Sequence, residues 1–244
     1  STRALTPDRP FYMYFATGAT HAPHHAPKEY IAKYKGKFDG GWDQMREETL
    51  KRQIDLGVVP AGTKLNPMPQ GVKAWSTLGA DEKKLFARQM EVFAGFAEHT
   101  DVEVGRLVDS LEEMGELDNT LLFYIIGDNG ASAEGTLVGT LNEMITFNDR
   151  ADLNIVANQL KRLNEFGGPM AYNHYAVGWA IAGNTPFQWC KQMASFFGGT
   201  RNPMIVHWPK GIKAKNEVRS QFHHVIDVCP TVLEAIGVPQ PDVV

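Results

Sequence analysis

Three polar stretches of the chain carry residue types that can do chemistry. The first, "THAPHHAP" (20–27), places three histidines and two prolines directly after the aromatic run "PFYMYFA" (10–16). Imidazole exchanges protons near neutral pH and is a common metal ligand. At the end of a strand, His21 can donate a hydrogen bond to a leaving group or to an anionic oxygen. The alternative is a structural histidine in a loop held by prolines. For His24 and His25 we expect positions at the rim of a pocket or on the surface.

The second stretch, "GDNGAS" (127–132), follows the apolar run "TLLFYIIG" (120–127). Asp128 and Asn129 offer a carboxylate and an amide oxygen side by side, which are hard donors suited to Ca²⁺ or Mg²⁺. In α/β proteins, ligands bind beyond the carboxyl ends of strands, where these two residues are expected. The alternative is an ordinary turn, because Asp-Asn-Gly is a common turn sequence.

The third stretch, "CKQMASFFGGTRNP" (190–203), leads into the apolar run "MIVHW". Lys191 supplies a point charge for an anion, and the Gly-Gly pair lets the backbone approach a ligand closely. Arg201 adds a second cation. The alternative is a solvated lysine beside an ordinary turn. Phosphate-loop, H-E-x-x-H, C-x-x-C and G-x-S-x-G patterns do not occur in the sequence.

The elements that must position these residues alternate between strands and helices. The apolar runs at 10–16, 120–127 and 203–209 predict strands, and the second is continuous enough to indicate a strand covered on both faces. Apolar residues at three- and four-residue steps predict a helix over 81–114, ended by Gly115. Further helices are expected around 43–57, 153–168 and 227–237. This alternation favours an α/β layered fold.

Composition excludes several classes of protein. The 244 residues are 43% hydrophobic and 21% charged, as in globular proteins, with a formal net charge of −4. The absence of a basic excess argues against nucleic acid as a partner. No apolar run approaches the ~18 residues of a membrane span, and "STRALTPDRP" lacks the apolar core of a secretory signal. Two cysteines cannot form a disulfide framework.

Taken in order, the three stretches resemble the sulfatase family, which shares the fold of alkaline phosphatase and hydrolyses sulfate esters. "HAPHHAP" matches the family's H-x-P-x-x-x-P loop, and "IIGDNGAS" matches its strand ending in D-N-G. "CKQMASFFGG" and "MIVHWPKGI" match a lysine before G-G and a strand ending in W-P. "VIDVCPTVLEAIG" is similar to the stretch that follows, and "KEYIAKYKGKFDGGWDQMREETLKRQ" resembles the bacterial arylsulfatase branch.

The match covers nearly the whole chain and implies a fold and an activity. The fold would be alkaline-phosphatase-like, with a central, mostly parallel sheet flanked by helices. Residues 1–244 would be the C-terminal part of a catalytic domain that hydrolyses aryl or alkyl sulfate esters.

The resemblance implies a role for each matched residue. Asp128 and Asn129 would be two ligands of an active-site Ca²⁺. His21 would contact the sulfate and help catalysis at the ester oxygen, and Lys191 would bind the sulfate and stabilise charge on the leaving group. Cationic and metal groups aimed at the sulfate oxygens suit a reaction that builds charge during S–O cleavage. The remaining substrate contacts are expected from His24, His25 and Arg201.

The departures from the family concern the nucleophile. Sulfatases use a cysteine in C-x-P-S/A-R, which is oxidised to formylglycine, whereas Cys190 precedes "KQMA" and Cys229 precedes "PTVL". We therefore expect the formylglycine, with two further Asp ligands, in a segment upstream of residue 1, and expect the chain alone to be inactive. Phe196 stands where the arylsulfatase branch often has a histidine.

Two other functions remain open from the sequence. A phosphodiesterase or phosphonate hydrolase of the same superfamily could share these residues, and a degenerate domain could bind without catalysis. The expected partner is a small-molecule sulfate ester, with no nucleic acid and no membrane. The sequence leaves the oligomeric state open and does not decide between bacterial cytoplasm and periplasm.

Overall fold

The computed structural model describes residue 6 and residues 8–241. In this part of the chain, helices predominate and a single pair of strands forms a small sheet. The helices are α1 (Lys28–Ala32), α2 (Gly41–Asp55), α3 (Ala80–Glu113), α4 (Met144–Phe147), α5 (Val156–Leu160), α6 (Val177–Gly183), α7 (Phe197–Thr200) and α8 (Val228–Ala235). The strands are β1 (Leu122–Ile125) and β2 (Met204–His207), and 3₁₀ turns lie at Trp75–Thr77, Leu117–Asn119, Ala151–Leu153, Leu163–Glu165 and Val225–Asp227.

Helix α3 is the element around which the core forms, and it confirms the predicted helix over 81–114. Its start is fixed by Glu82, whose carboxylate accepts the Gly79 N–H at 2.8 Å. Its end is a Schellman arrangement, in which Gly115 has a φ of 68° and its N–H donates to the Glu112 carbonyl. The N–H of the next residue, Glu116, donates to Leu111. The periodic apolar face and the glycine stop therefore determine this helix locally.

A cluster of aromatic side chains fills the core between α2, α3 and α6. The Trp42 ring lies 4.9 Å from Trp75 and 5.6 Å from both Phe86 and Trp179, measured between ring centroids. The indole N–H of Trp179 donates to the Phe86 carbonyl at 2.8 Å, so its burial leaves no orphaned donor. This cluster fixes α6 against α3, and α6 leads the chain toward Cys190 and Lys191.

Strands β1 and β2 pair antiparallel, with Leu122 opposite His207 and Ile125 opposite Met204. The predicted strands at 120–127 and 203–209 are thus confirmed in position. The coverage predicted for the first of them is wrong within this chain. Side chains of β1 are half-buried or exposed and those of β2 are exposed. Helix α3 reaches β1 through Asp101, which accepts a hydrogen bond from the Tyr124 hydroxyl, but it does not bury the strand. One antiparallel pair neither confirms nor contradicts the expected, mostly parallel sheet.

The predicted buried strand at 10–16 is also wrong for this chain. The segment forms no strand in the described residues, and Tyr12 and Tyr14 are 79% and 80% exposed. A strand needs a neighbour to pair its backbone N–H and C=O groups, and no described segment pairs with this one. The predicted helix over 153–168 is limited to α5 and a 3₁₀ turn. Helix α8 confirms the prediction at 227–237, and α2 confirms that at 43–57.

Within residue 6 and residues 8–241, no helix combines the length and the apolar character that crossing a membrane requires.

Candidate functional site

The fold brings together the three stretches that the sequence singled out. Nζ of Lys191 lies 3.0 Å from Nε2 of His21, across 170 residues of chain. The backbone N–H of Lys191 donates to the Ala131 carbonyl at 3.0 Å, directly after the Asp-Asn-Gly turn. Gly130, at a φ of 85°, packs so closely that a Cβ there would lie 1.9 Å from the Gly198 carbonyl oxygen. The histidine loop, the turn after β1 and the Lys–Gly-Gly segment therefore form one site.

The hydrogen bonds of His21 define its tautomer. Nδ1 lies 2.9 Å from the Ala22 carbonyl oxygen, which can only accept, so Nδ1 carries the proton. In the neutral ring, Nε2 is then the acceptor of a hydrogen bond from the Lys191 ammonium. A second proton on the ring goes to Nε2, the nitrogen that faces the site.

Glu134 is a functional candidate that the sequence reasoning missed. Its Oε2 accepts from Lys191 Nζ at 3.1 Å and from the Ser132 hydroxyl at 2.8 Å, and lies 3.7 Å from His21 Nε2. Its Oε1 accepts from the Gln192 amide at 2.9 Å. Burial opposes ionisation, but the bonds from Ser132 and Lys191 lower the pKa of the Glu134 carboxyl. The sequence signal that could have identified Glu134 is that it is an acidic residue among small residues directly after the Asp-Asn-Gly turn.

Two buried titratable residues, Glu143 and His174, lie next to Glu134. Ligand atoms of the three side chains are within 4.8 Å of one another, an arrangement that could hold a metal ion. The Lys191 ammonium already neutralises the Glu134 carboxylate here, so we assign the cation at this place to Lys191. Burial, and then the charge of Glu134, raises the pKa of Glu143. Burial lowers the pKa of His174 to about 4, which keeps its ring neutral at pH 7.

A buried amide network positions the loop that carries Glu143. Gln89 of α3 is 1% exposed; its Nε2 donates to the Val138 carbonyl at 2.9 Å and its Oε1 accepts the Ala176 N–H at 3.0 Å. Close to both of these bonds, Thr140 and His174 form an antiparallel backbone bridge. The network ties the loop before α4 to the start of α6, and so sets the distance between Glu143 and His174.

Gln89→Leu is expected to lower the free energy of unfolding by about 3 kcal/mol, because the buried Ala176 N–H would lose its acceptor and the buried Gln159 amide oxygen would lose its donor. The urea dependence of circular dichroism measures this change. Gln44→Leu, on the exposed side of α2, is the matched control and should change stability by about 0.5 kcal/mol or less. Equal stability of the Gln89 variant and the unmodified chain would contradict the network's role.

The predicted calcium ligands lie at the carboxyl end of β1, as expected from the sequence. Asp128 and Asn129 are exposed, and no described residue hydrogen-bonds to either side chain. A carboxylate and an amide oxygen that are free of protein partners are donors that Ca²⁺ accepts. The donor chemistry therefore fits a calcium ion, with two of the 6–8 oxygens that such an ion takes.

The surface position predicted for His24 is wrong. The ring is 1% exposed and packs between Phe93, His174 and Tyr175, at centroid distances of 4.8–5.1 Å. The backbone N–H of His24 donates to the Asn173 carbonyl, which turns this ring toward the core. Burial lowers the pKa of His24 well below its ordinary value, so the ring is neutral.

The other predicted substrate contacts are exposed. His25 Nε2 lies 2.6 Å from the Ala171 carbonyl oxygen, and the Arg201 guanidinium lies over the Phe187 and Phe197 rings at 5.2 and 5.9 Å. Their roles toward a substrate stay predictions. Cys190 is buried, and burial raises the pKa of its thiol, which disfavours the thiolate that a nucleophile needs.

Comparison with known proteins shows the family to which the chain belongs. The sulfatase family model matches residues 3–238. The chain is 35% identical over 232 residues to an uncharacterized sulfatase of Schizosaccharomyces pombe, covering 95% of this chain and 40% of that protein. It is 27% identical over 237 residues to an arylsulfatase of Klebsiella aerogenes, covering 97% and 48% of the two chains. An arylsulfatase of Clostridium perfringens is 26% identical over 133 residues, covering 52% and 24%.

The chain spans less than half the length of each of these relatives. The family match nevertheless extends over nearly all of its residues, including the histidine loop, the Asp-Asn-Gly turn and the Lys–Gly-Gly segment. By this match, the chain belongs to the sulfatase family.

Proposed function

We propose that the chain supplies part of the catalytic domain of an arylsulfatase that hydrolyses aryl or alkyl sulfate esters. The observation that carries the proposal is the contact between Lys191 and His21 beside the turn that holds Asp128. A cation and an imidazole suit the binding and cleavage of a sulfate monoester, and a carboxylate without protein partners can hold the metal ion that neutralises the sulfate oxygens. The similarity to two proteins named arylsulfatase supports this substrate class.

Each side chain has a task that follows from its chemistry. The Lys191 ammonium binds a sulfate oxygen and stabilises negative charge that develops on the leaving oxygen. Nε2 of His21, which accepts an N–H of Lys191, faces the ester oxygen, so the Lys191–His21 pair can supply a proton to that oxygen as the S–O bond breaks. Asp128 and Asn129 would hold Ca²⁺, which when bound supplies positive charge for the sulfate oxygens; the family's formylglycine would supply the nucleophile.

We also propose that residues 1–244 form part of an alkaline-phosphatase-like layered domain with a larger, mostly parallel sheet. The support is exposed apolar surface on three segments of the chain. Large apolar side chains are exposed on Phe11–Phe15, on β2 and near α8, where Phe222 is 89% exposed. Large exposed apolar surfaces mark places that another part of a protein covers.

The test is release of p-nitrophenol from p-nitrophenyl sulfate with calcium present, measured for the full-length protein and for residues 1–244. We expect turnover by the full-length protein and none by the chain alone, because neither Cys190 nor Cys229 stands in the family's nucleophile motif. Bis(p-nitrophenyl) phosphate is the matched competitor substrate. Faster turnover of the phosphate diester would favour a phosphodiesterase, and turnover by the chain alone would place the nucleophile within these residues.

A further inference from the structure

We propose that Glu134 is a positioning residue of the sulfate site, which holds the Lys191 ammonium in one orientation beside His21. The inference rests on the proposed function, because it assumes that Lys191 and His21 face the sulfate. Its geometric basis is a triangle of contacts. Lys191 Nζ is 3.1 Å from Glu134 Oε2 and 3.0 Å from His21 Nε2, and the carboxylate oxygen is 3.7 Å from that ring nitrogen.

The geometry of Lys191 explains why a positioning group is useful. A lysine ammonium has three N–H bonds and can rotate freely at the end of a flexible stem. Two of them are held by Glu134 and His21, which leaves the third in a direction fixed by tetrahedral geometry. That third N–H is the one available to an oxygen of the substrate. The arrangement thus converts a mobile point charge into a directed donor.

Glu134 is itself held firmly enough to do this. The Ser132 hydroxyl donates to Oε2 at 2.8 Å and the Gln192 amide donates to Oε1 at 2.9 Å. The backbone N–H of Glu134 in turn donates to the Ser132 oxygen at 3.2 Å. Both carboxylate oxygens are therefore fixed before any substrate binds. An exposed Glu–Lys pair loses side-chain entropy when it forms, and these extra bonds reduce that loss.

Among the titratable side chains around Lys191, Glu134 is the one that supplies its negative counter-charge. His174 and His24 are buried and neutral at pH 7, and burial raises the pKa of Glu143. His25 faces the Ala171 carbonyl at the surface. The negative charge that touches both Lys191 and His21 therefore comes from Glu134.

The experiment is Glu134→Gln in the full-length protein, which keeps the size and one acceptor but removes the charge. We expect kcat for p-nitrophenyl sulfate to fall about 100-fold, as for a misplaced catalytic group. We also expect the loss in kcat to grow as the leaving group becomes more basic, from p-nitrophenyl to phenyl to alkyl sulfates, because the misdirected ammonium is the group that stabilises charge on the leaving oxygen. Glu134→Asp keeps the charge and should recover kcat in part, to a value between those of the other two proteins.

The matched control is Glu98→Gln. The Lys33–Glu98 pair resembles the Lys191–Glu134 pair, with an N–O distance of 2.6 Å and a glutamate side chain 30% exposed against 29% for Glu134. It lies between α1 and α3, and its loss should leave kcat unchanged for every leaving group. A loss of kcat in Glu134→Gln that is equal for all leaving groups would mean a purely structural role and would overturn the proposal.

A second measurement keeps the inference separate from the proposed function. NMR of the Lys191 ammonium needs no turnover, and we expect its N–H protons, one of which Glu134 holds, to exchange with water faster in Glu134→Gln than in the unmodified protein. An unchanged exchange rate would overturn the positioning role even if sulfate esters are hydrolysed. Absence of sulfatase activity in the unmodified full-length protein would instead overturn the proposed function, whatever the exchange rate shows.

Discussion

Lys191→Ala in the full-length protein is expected to lower kcat for aryl sulfates by about 100- to 1,000-fold, the usual cost of removing one donor that stabilises transition-state charge. The variant loses the N–H that faces the substrate and leaves the Glu134 carboxylate without its cation. A bare carboxylate next to a sulfate repels the substrate, so KM should rise as well. Steady-state kinetics with p-nitrophenyl sulfate measures both effects.

Varying the basicity of the leaving group tests the role of Lys191 more specifically. If Lys191 stabilises charge on the leaving oxygen, the loss in kcat should grow as the leaving group becomes more basic, from p-nitrophenyl to phenyl to alkyl sulfates. A loss that is equal for all of them would restrict Lys191 to binding the sulfate and would contradict the leaving-group role. Lys33→Ala, in the exposed pair with Glu98, is the matched control and should leave the kinetics unchanged.

Asp128→Ala is expected to raise the calcium concentration needed for half-maximal activity by about 100-fold or more, because the site would lose a charged oxygen ligand. The exposed carboxylate at the end of β1 has no protein partner among the described residues, so its removal should leave the fold intact. Activity of the full-length protein against free calcium, set with a chelator, measures the shift.

Two comparisons make the calcium prediction decisive. Asp128→Asn keeps an oxygen donor without the charge and should fall between the alanine variant and the unmodified protein. Asp109→Ala removes an exposed carboxylate of α3 and should leave the calcium requirement unchanged. Activity of Asp128→Ala that is unchanged and independent of calcium would contradict the assignment of Asp128 as a metal ligand.

The two predictions and the positioning role of Glu134 test one site from different directions. Lys191 and Asp128 lie in segments that are joined by the hydrogen bond from the Lys191 N–H to the Ala131 carbonyl. Since residues in one network are not additive, Glu134→Gln and Lys191→Ala combined should cost little more than Lys191→Ala alone. The carboxylate acts through the ammonium and has little to position once that group is removed.

The sequence alone determined the elements whose signals are local. Helix α3 was predictable because its apolar face repeats every three or four residues and Gly115 supplies the left-handed conformation at its end. Strands β1 and β2 were predictable in position from their apolar runs. His21 and Asp128 could be selected because each follows an apolar run, and Lys191 because it precedes a Gly-Gly pair that leads into another. The order of their motifs indicated the sulfatase family.

Tertiary structure decided what depends on partners that are distant in the chain. Glu134 joins the site only because folding brings Lys191, 57 residues away, to its carboxylate, and no local pattern encodes that distance. His24 lies in the same loop as His21, yet its ring is in the core. There its backbone N–H donates to the Asn173 carbonyl and its ring packs against Phe93. Residues 10–16 have the composition of a strand but lie exposed, because a strand exists only where another segment pairs its backbone.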